Sequence, residues 1–423
     1  MALKVRGFRF YFWISLISLM TNVFVFLAFT FFRPPQPVSL QRSIVRSRVR
    51  SINKFLISIH VIGFSRPKSL RTLLTQIGEA KCDTTLVNPI DMYIRIDGGS
   101  SREVVDVAAE FRWHQGNKHV LVSNISNGLR NMWINIFPRD DSEILMIFED
   151  DIRVSPFFLD WTLHLLKEYG GNEKRPRDPS LIGFSLSPIQ LDEISHPFVR
   201  WNASKFMSGD GDLYLHTVPS SWGGIYFADR WKEFLLFFRV RVQLPYFNTT
   251  EEAHFKLRKG RPASPLGDPN LLIPGSRTNV WARSWKRFLV EYCHGRAMYT
   301  MYTRMPGRLG FATPLQLSGA HVDGGVPPDS ADRGPSKAML RNDRVCRLLE
   351  DPADYDALRR GPAADTAGLP LFDLWGRPTA RRERAGDARR FVDGVLSKGP
   401  AKYGPLVRVW RGGGGGGGEA AMP

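Results

Sequence analysis

The chain has 423 residues, of which 43% are hydrophobic, enough for one large domain or two ordinary ones with a true core. Lys and Arg outnumber Asp and Glu by 58 to 41, a formal charge of +17. The excess sits towards the ends, however: no acid precedes Glu79, and the stretch beyond Asp329 is rich in Arg. A nucleic-acid binder interleaves its basic residues with aromatics on a folded face, so this distribution argues against nucleic acid as a partner. Three cysteines, Cys82, Cys293 and Cys346, exclude a disulfide framework; one Cys82–Cys293 bridge or two free thiols both fit the sequence.

Residues 1–9 read as a short cytosolic tail. Residues 10–32 are an uncharged apolar run between Arg9 and Arg33, matching the ~20 residues a helix needs to cross a bilayer. The run ends in Phe-Thr-Phe-Phe-Arg-Pro-Pro, a poor cleavage site, so an uncleaved signal anchor is predicted rather than a removed signal peptide. Basic residues flank both sides and do not fix orientation. The sequons at Asn124, Asn202 and Asn248 lean towards a lumenal body, hence a single-pass type II protein of the Golgi or secretory pathway. Residues 33–52, with Pro34, Pro35 and Pro37, read as a stem.

From residue 53 strands and helices alternate. Residues 55–62 are apolar and β-branched and end in a Gly63-Phe-Ser-Arg-Pro turn; Ser65 or Ser69 caps a helix through Leu70, Leu73, Leu74 and Ile77. A strand over 92–96 ends at Asp97-Gly-Gly-Ser-Ser, a helix covers 104–113, and a third strand starts at His119. A helix covers 128–137, and a fourth strand over 144–148 ends at Glu149-Asp150-Asp151. A helix over 156–169, a strand over 181–186, an apolar helix running from the Gly-Gly turn over 222–242 and a basic, Trp-containing helix over 281–292 complete the pattern. The expected domain spans 53–333. Residues 334–423, dominated by Ala, Arg, Gly and Pro and containing seven consecutive glycines from Gly412, read as a low-complexity, largely disordered tail.

Such alternation predicts an α/β domain around a mostly parallel sheet, whose ligand site lies beyond the carboxyl ends of the strands. Ser65-Arg66, Asp97 and Glu149–Asp151 all fall there. Three adjacent carboxylates repel one another and call for a cation, an arginine or water. Hard oxygen donors suit Mg²⁺ or Mn²⁺, which in turn suits a diphosphate. The plainer alternative is a solvated acidic turn.

The segment Leu145-Met-Ile-Phe-Glu-Asp-Asp-Ile-Arg-Val-Ser-Pro-Phe-Phe resembles the metal-binding segment of GT-A glycosyltransferases, nearest to the Golgi enzymes that add β1,2-linked GlcNAc. Gly63-Phe-Ser-Arg-Pro, Asp97-Gly-Gly-Ser-Ser, Gly128-Leu-Arg-Asn-Met-Trp and Ser221-Trp-Gly-Gly resemble further segments of the family-2-like transferases, in order, over residues 53–325. The resemblance implies a Rossmann-like GT-A fold and transfer of a sugar from a nucleoside diphosphate sugar, a UDP-sugar above all, to a glycan or glycoconjugate hydroxyl. It implies that Asp151 ligates the metal, with His321 a second candidate. Glu149 and Asp150 would hold ribose and donor sugar, Asp97 the uracil or ribose, and Arg66 and Asn131 would lie near the nucleotide. Trp222, Gly223 and Gly224 would shape the sugar site, Trp222 stacking on a ring or serving as a core residue.

The β1,2-GlcNAc enzymes carry an acidic-aromatic segment that supplies the catalytic base; the matching stretch here, 274–286, is basic. Arg277, Arg283 and Lys286 in it face a diphosphate or an anionic acceptor, or form an exposed basic face. Asp268, Glu291 and Asp323 remain as base candidates, and stereochemistry stays open. Two other readings persist. A phosphohydrolase would need a second metal cluster, for which only His60 and His321 are available. A catalytically inactive, membrane-anchored carbohydrate-binding protein would need no base.

Overall fold

In the computed structural model, the described residues are 55–83, 85–171, 175–195, 199–207, 212–242, 273, 276, 278, 284–315, 346–359, 365–380, 392, 393 and 396. Leu56–Gly63 (β1) is apolar at most positions and buried on both faces, as a strand with sheet neighbours and helices on either side requires. Pro67, whose missing N–H costs nothing at the start of a helix, opens Pro67–Gly78 (α1). Leu70, Leu73, Leu74 and Ile77 form its buried stripe. Asp91–Ile96 (β2), Arg102–Glu110 (α2), Lys118–Val122 (β3), Gly128–Ile134 (α3), Glu143–Glu149 (β4), Ile152–Val154 (β5) and Phe158–Tyr169 (α4) follow. Next come Leu181–Ser185 (β6), Leu191–Asp192 (β7), Val199–Arg200 (β8), Leu213–His216 (β9), Gly224–Phe227 (β10), Ala228–Arg241 (α5), Trp285–Arg296 (α6) and Tyr299–Thr303 (β11). Leu309–Gly310 (β12), Ala312–Pro314 (β13), Arg347–Leu348 (β14), Pro352–Arg359 (α7) and Leu371–Phe372 (β15) complete the described elements.

Nine strands form one mixed sheet in the order β15-β9-β11-β6-β10-β4-β1-β2-β3. The β4-β1-β2-β3 half is parallel throughout. β10 runs antiparallel between β4 and β6, so those two strands point the same way. The chain winds outward from β1 to β3 and returns as β4 on the other side of β1. A topological switch point therefore lies between β1 and β4, where open α/β sheets form ligand crevices.

Side-chain alternation splits the core into two layers. Ile57, Ile59, Val61, Met146 and Phe148 pack with residues of α1, α2 and α4 on one face. Ile62, Leu145 and Ile147 pack with residues of α3, α5 and α6 on the other. In the second layer Trp133 of α3 stacks on Trp285 of α6 with ring centroids 3.8 Å apart, and Trp231 of α5 lies 6.3 Å from Trp133. Each such pair adds roughly 0.5–1.5 kcal/mol beyond its buried area, and together they pin three helices to the sheet beside the end of β4.

Several expectations are corrected. The apolar run after Trp222 is not one helix: residues 224–227 are a strand and the helix begins at Ala228. A fully apolar run carries no period that separates a buried strand from a buried helix. Neither Ser65 nor Ser69 caps α1; Arg66 holds that position, and the Ser69 hydroxyl donates to the Asp150 carbonyl at 2.6 Å. The three cysteines are free, with Cys82 and Cys293 packed in different core layers.

The expected domain end at 333 is also too early. Leu349, Tyr355 and Leu358 join the first core layer, β15 extends the sheet beside β9, and the Trp201 indole donates to the Gly376 carbonyl at 2.8 Å. Composition misled because a few apolar residues, widely spaced among Ala, Arg, Gly and Pro, suffice to dock these segments.

The predicted cytosolic tail, anchor and stem at 1–52 lie outside the described residues, and no helix among the described residues is long and apolar enough to cross a membrane.

Candidate functional site

The last carbonyls of β1 lace three strand ends together. Ile62 O accepts from the Asp150 amide at 2.9 Å, and Gly63 O accepts from the Asp97 amide at 3.0 Å. Arg66, three residues beyond β1, reaches across the switch point and pairs with both Asp150 and Asp151. The Asp151 contact runs from Nη1 to Oδ2 at 3.0 Å. Asp150 is buried and accepts also from the Phe64 amide at 3.2 Å, whereas Asp151 keeps 22% of its side chain exposed. Glu149 accepts from the Trp133 indole at 3.1 Å.

The electrostatics follow from this packing. Burial, with the Asp151 and Asp150 charges beside it, pushes Glu149 up to about 8, against the opposing pull of Arg66 and the indole. Burial raises Asp150 to about 6 even though Arg66 pulls it down. Burial also works against the Arg66 charge, but Asp150 and Asp151 outweigh it and hold the guanidinium above its ordinary value. Arg66 thus faces the Asp150 and Asp151 carboxyls together, while burial and its acidic neighbours push Glu149 towards its protonated form.

Asp97 lies at the same edge, but its carboxylate is committed. Oδ1 accepts from the Gly98 amide at 2.9 Å and the Asn127 amide at 2.7 Å, and Oδ2 accepts from the Gly128 amide at 2.9 Å. It ties the loop after β2 to the start of α3. That loop also needs Gly98: a Cβ there would lie 2.1 Å from the Ile125 carbonyl. Asn131 donates to Asn127 O at 2.9 Å within its own helix turn, and no hydrogen bond joins it to the carboxylates.

Trp222 is half-buried, with the Lys286 ammonium 5.9 Å from its ring centroid. Gly223 has φ +68 and packs so closely that a Cβ would lie 2.8 Å from that of Ala312. Leu315, just past β13, donates its amide to the Asp151 carbonyl at 2.7 Å. The Ser220–Gly224 loop and the Arg66–Asp151 crevice are thus connected through residues 312–315.

Of the base candidates, Glu291 is excluded by its surroundings. It is fully buried and braced by Arg241 Nε at 2.8 Å and Arg287 Nε at 3.3 Å. Asp268 and Asp323 lie outside the described residues, as do His321, Arg277 and Arg283. Lys286 pairs with Glu193 at 2.6 Å, so it is neither a free diphosphate ligand nor part of an exposed basic face. His60 is buried between Ser58 and Arg95 and stacked on Tyr93, remote in kind from a metal ligand. The sequence alone does not mark Trp133 or Phe64, a residue 45% exposed in the turn that leads to Arg66. Both lie inside quoted motifs, but an apolar ring in a motif gives no sign of whether it faces core or crevice.

Among the described residues no group of three or more His, Cys, Asp or Glu side chains is arranged to hold a metal ion. The donor set fits a hard cation only through Asp151, whose second carboxylate oxygen has no protein partner among these residues. That suits Mg²⁺ or Mn²⁺ taking most of its ligands from water and diphosphate.

No protein-family model matches the chain, and no curated protein matches it. Among solved structures it is similar to residues 1–349 of S. aureus TarS, at 9% identity and a TM-score of 0.32, over 60% of this chain and 61% of that one. A longer TarS structure gives 10% identity and a TM-score of 0.31 over 60% and 37% of the two chains. TarS 1–349 in complex with UDP gives 10% and 0.29 over 59% and 58%. The matched region therefore spans less than two thirds of each of these TarS structures. A likeness this loose carries no argument about activity; the fold and the crevice define a mixed α/β domain with an arginine–carboxylate cluster at its switch point.

Proposed function

We propose that the chain is a nucleotide-sugar glycosyltransferase whose donor lies across the β1–β4 switch point. One observation carries this reading: Arg66 and the Glu149–Asp151 segment, 85 residues apart for the Arg66–Asp151 pair, converge at the carboxyl ends of adjacent parallel strands. A nucleoside diphosphate sugar needs both kinds of group, a guanidinium for phosphate and carboxylates for sugar hydroxyls or a cation.

In this reading Asp151 would hold a Mn²⁺ or Mg²⁺, which when bound would supply positive charge for a departing diphosphate. Arg66 moves part of its pairing from the carboxylates to phosphate oxygens. Protonated Glu149 donates a hydrogen bond to ribose or sugar, and Asp150 braces Arg66 and the Phe64 turn. Asp97 acts through the loop it ties rather than by touching the base, and the Gly223 turn lets the Trp222 loop approach. The kinship with β1,2-GlcNAc enzymes, the UDP-sugar donor, the glycan acceptor and the anchored Golgi location are parts of the same proposal.

A second reading, sugar binding without transfer, is favoured by one fact: Glu291, the one predicted base among the described residues, is taken up in the buried core by Arg241 and Arg287. Incubating the full chain with a panel of UDP- and GDP-sugars, with and without Mn²⁺, decides between them. Metal-dependent release of nucleoside diphosphate supports transfer; binding without release supports the second reading, and no binding of any nucleotide sugar removes the donor assignment.

A further inference from the structure

We propose that the cavity between the end of α4, residues 175–179 and the turn at 365–367 is a binding site separate from the donor crevice, taking a short neutral oligosaccharide. The cavity measures about 350 Å³, within the range of small-ligand sites. It lies at the other edge of the sheet. Residues 175–179 lead into β6, and Tyr299 opens β11. Both strands run in the direction of β4, so the strand starts gathered here face away from the Arg66–Asp151 edge.

Segments far apart in the chain build the cavity. Arg175 donates to Asp365, 190 positions away, at 3.0 Å, and both side chains are exposed. The Thr366 hydroxyl donates to Asp178 Oδ2 at 3.2 Å. The Asp178 carboxylate also accepts from the Tyr299 hydroxyl and from the Ser180 amide, which ties this wall to the starts of β11 and β6. Asp365 caps its own turn by accepting from the Ala367 amide. A stretch whose composition reads as low complexity therefore supplies one wall of the cavity.

The lining selects the ligand. Two guanidiniums, of Arg175 and Arg177, share the space with three carboxylates, of Glu168, Asp178 and Asp365. A phosphate would meet the carboxylates and an organic cation the guanidiniums, so a ligand of either charge is repelled by part of the wall. A hydroxyl both donates and accepts, and neighbouring sugar hydroxyls satisfy a lining of both signs. Open positions of both kinds are present. Glu168 makes no hydrogen bond or ion pair among the described residues. Arg177 is held by Asp229 with its guanidinium 4.1 Å from the Phe227 ring centroid, yet its Nε is buried without a hydrogen-bond partner. A buried N–H in that state calls for a water or a ligand oxygen. Hydrogen bonds from sugar hydroxyls to such charged groups are stronger than neutral ones, and Pro176, Pro179 and Ala367 offer apolar surface to the C–H faces of a ring.

The test uses the full chain and neutral trisaccharides of GlcNAc, glucose and mannose, read by saturation-transfer NMR, with inorganic phosphate and methylammonium as competitors. The native chain is expected to bind at least one trisaccharide, and saturating UDP is expected not to displace it. Ala367→Trp fills the cavity from an exposed position, and Glu168→Ala removes a carboxylate that braces nothing. Each is expected to weaken trisaccharide binding about tenfold or more and to leave UDP affinity within about twofold. No trisaccharide binding by the native chain, binding unchanged in either variant, or displacement by UDP, by equimolar phosphate or by equimolar methylammonium overturns the proposal. Trisaccharide binding that depends on both positions in a chain that binds no UDP upholds this site and removes the donor reading alone.

Discussion

Arg66 Nη1 lies 3.0 Å from Asp151 Oδ2, a contact that closes the switch point between two strands belonging to different windings of the chain. The same guanidinium neutralises Asp150, which is only 2% exposed. Arg66→Ala therefore strands a buried carboxylate and is expected to lower stability by about 3–5 kcal/mol, read by urea unfolding. Adding Asp150→Asn should restore most of that loss without restoring nucleotide binding. Full recovery of both would make Arg66 a structural brace alone.

Glu291 was a base candidate in the sequence and is a buried counter-ion to Arg241 and Arg287 in the fold. Glu291→Gln should lower the unfolding free energy by about 1–3 kcal/mol, since two guanidiniums lose their charged partner. Turnover per folded molecule should stay within twofold. A loss of turnover in fully folded Glu291→Gln protein would return the residue to the reaction.

Gly223 adopts φ +68 with Leu186 and Ala312 pressed against it. Gly223→Ala should cost about 1–3 kcal/mol from strain and overpacking, and should displace Trp222. A lowered melting temperature is the expected result; unchanged melting would show the loop to be tolerant.

His216 is buried, and that burial lowers its pKa to about 3 from the ordinary 6.5. The unfolded chain takes up a proton below pH 6.5 that the folded chain refuses until about pH 3. The contribution of neutral His216 to stability is thus complete above pH 6.5 and is lost as pH falls towards 3, at about 1.4 kcal/mol per unit. Burial lowers His60 as well, which adds slope of the same sign. Unfolding free energies measured between pH 7 and 5 should fall, and His216→Gln should make that slope shallower by about one proton. An unchanged slope in the variant would contradict a buried neutral imidazole.

Asn124 and Asn202 lie on exposed surface. If the body is lumenal, both are open to glycosylation, and peptide N-glycosidase should reduce the mass of the secretory-pathway protein, with a smaller shift in each single Asn→Gln variant. An unchanged mass would argue against lumenal exposure.

Much of this fold was legible because its first half obeys simple periods. Alternating strands and helices placed Gly63, Asp97 and Glu149 at strand ends, and the sheet brings all three to one edge. What pattern did not carry was partnership. Asp97 looks like a ligand group in sequence, yet three backbone amides claim its carboxylate. Glu149 is pushed upward by burial and by the Asp151 and Asp150 charges beside it, and burial is what its place in the sequence does not show. Residues 224–227 gave no sign of a strand because a run buried on every side has no polar face to mark its period.

Calorimetric titration of UDP into the full chain with Mn²⁺, for the native protein and for Asp151→Asn, tests the central claim most directly. The account predicts saturable one-to-one binding in the native chain and affinity at least tenfold weaker in the variant, with its fold intact by circular dichroism. Native protein that binds no UDP, or a variant that binds it equally well, would contradict the assignment of the switch-point crevice to a nucleoside diphosphate.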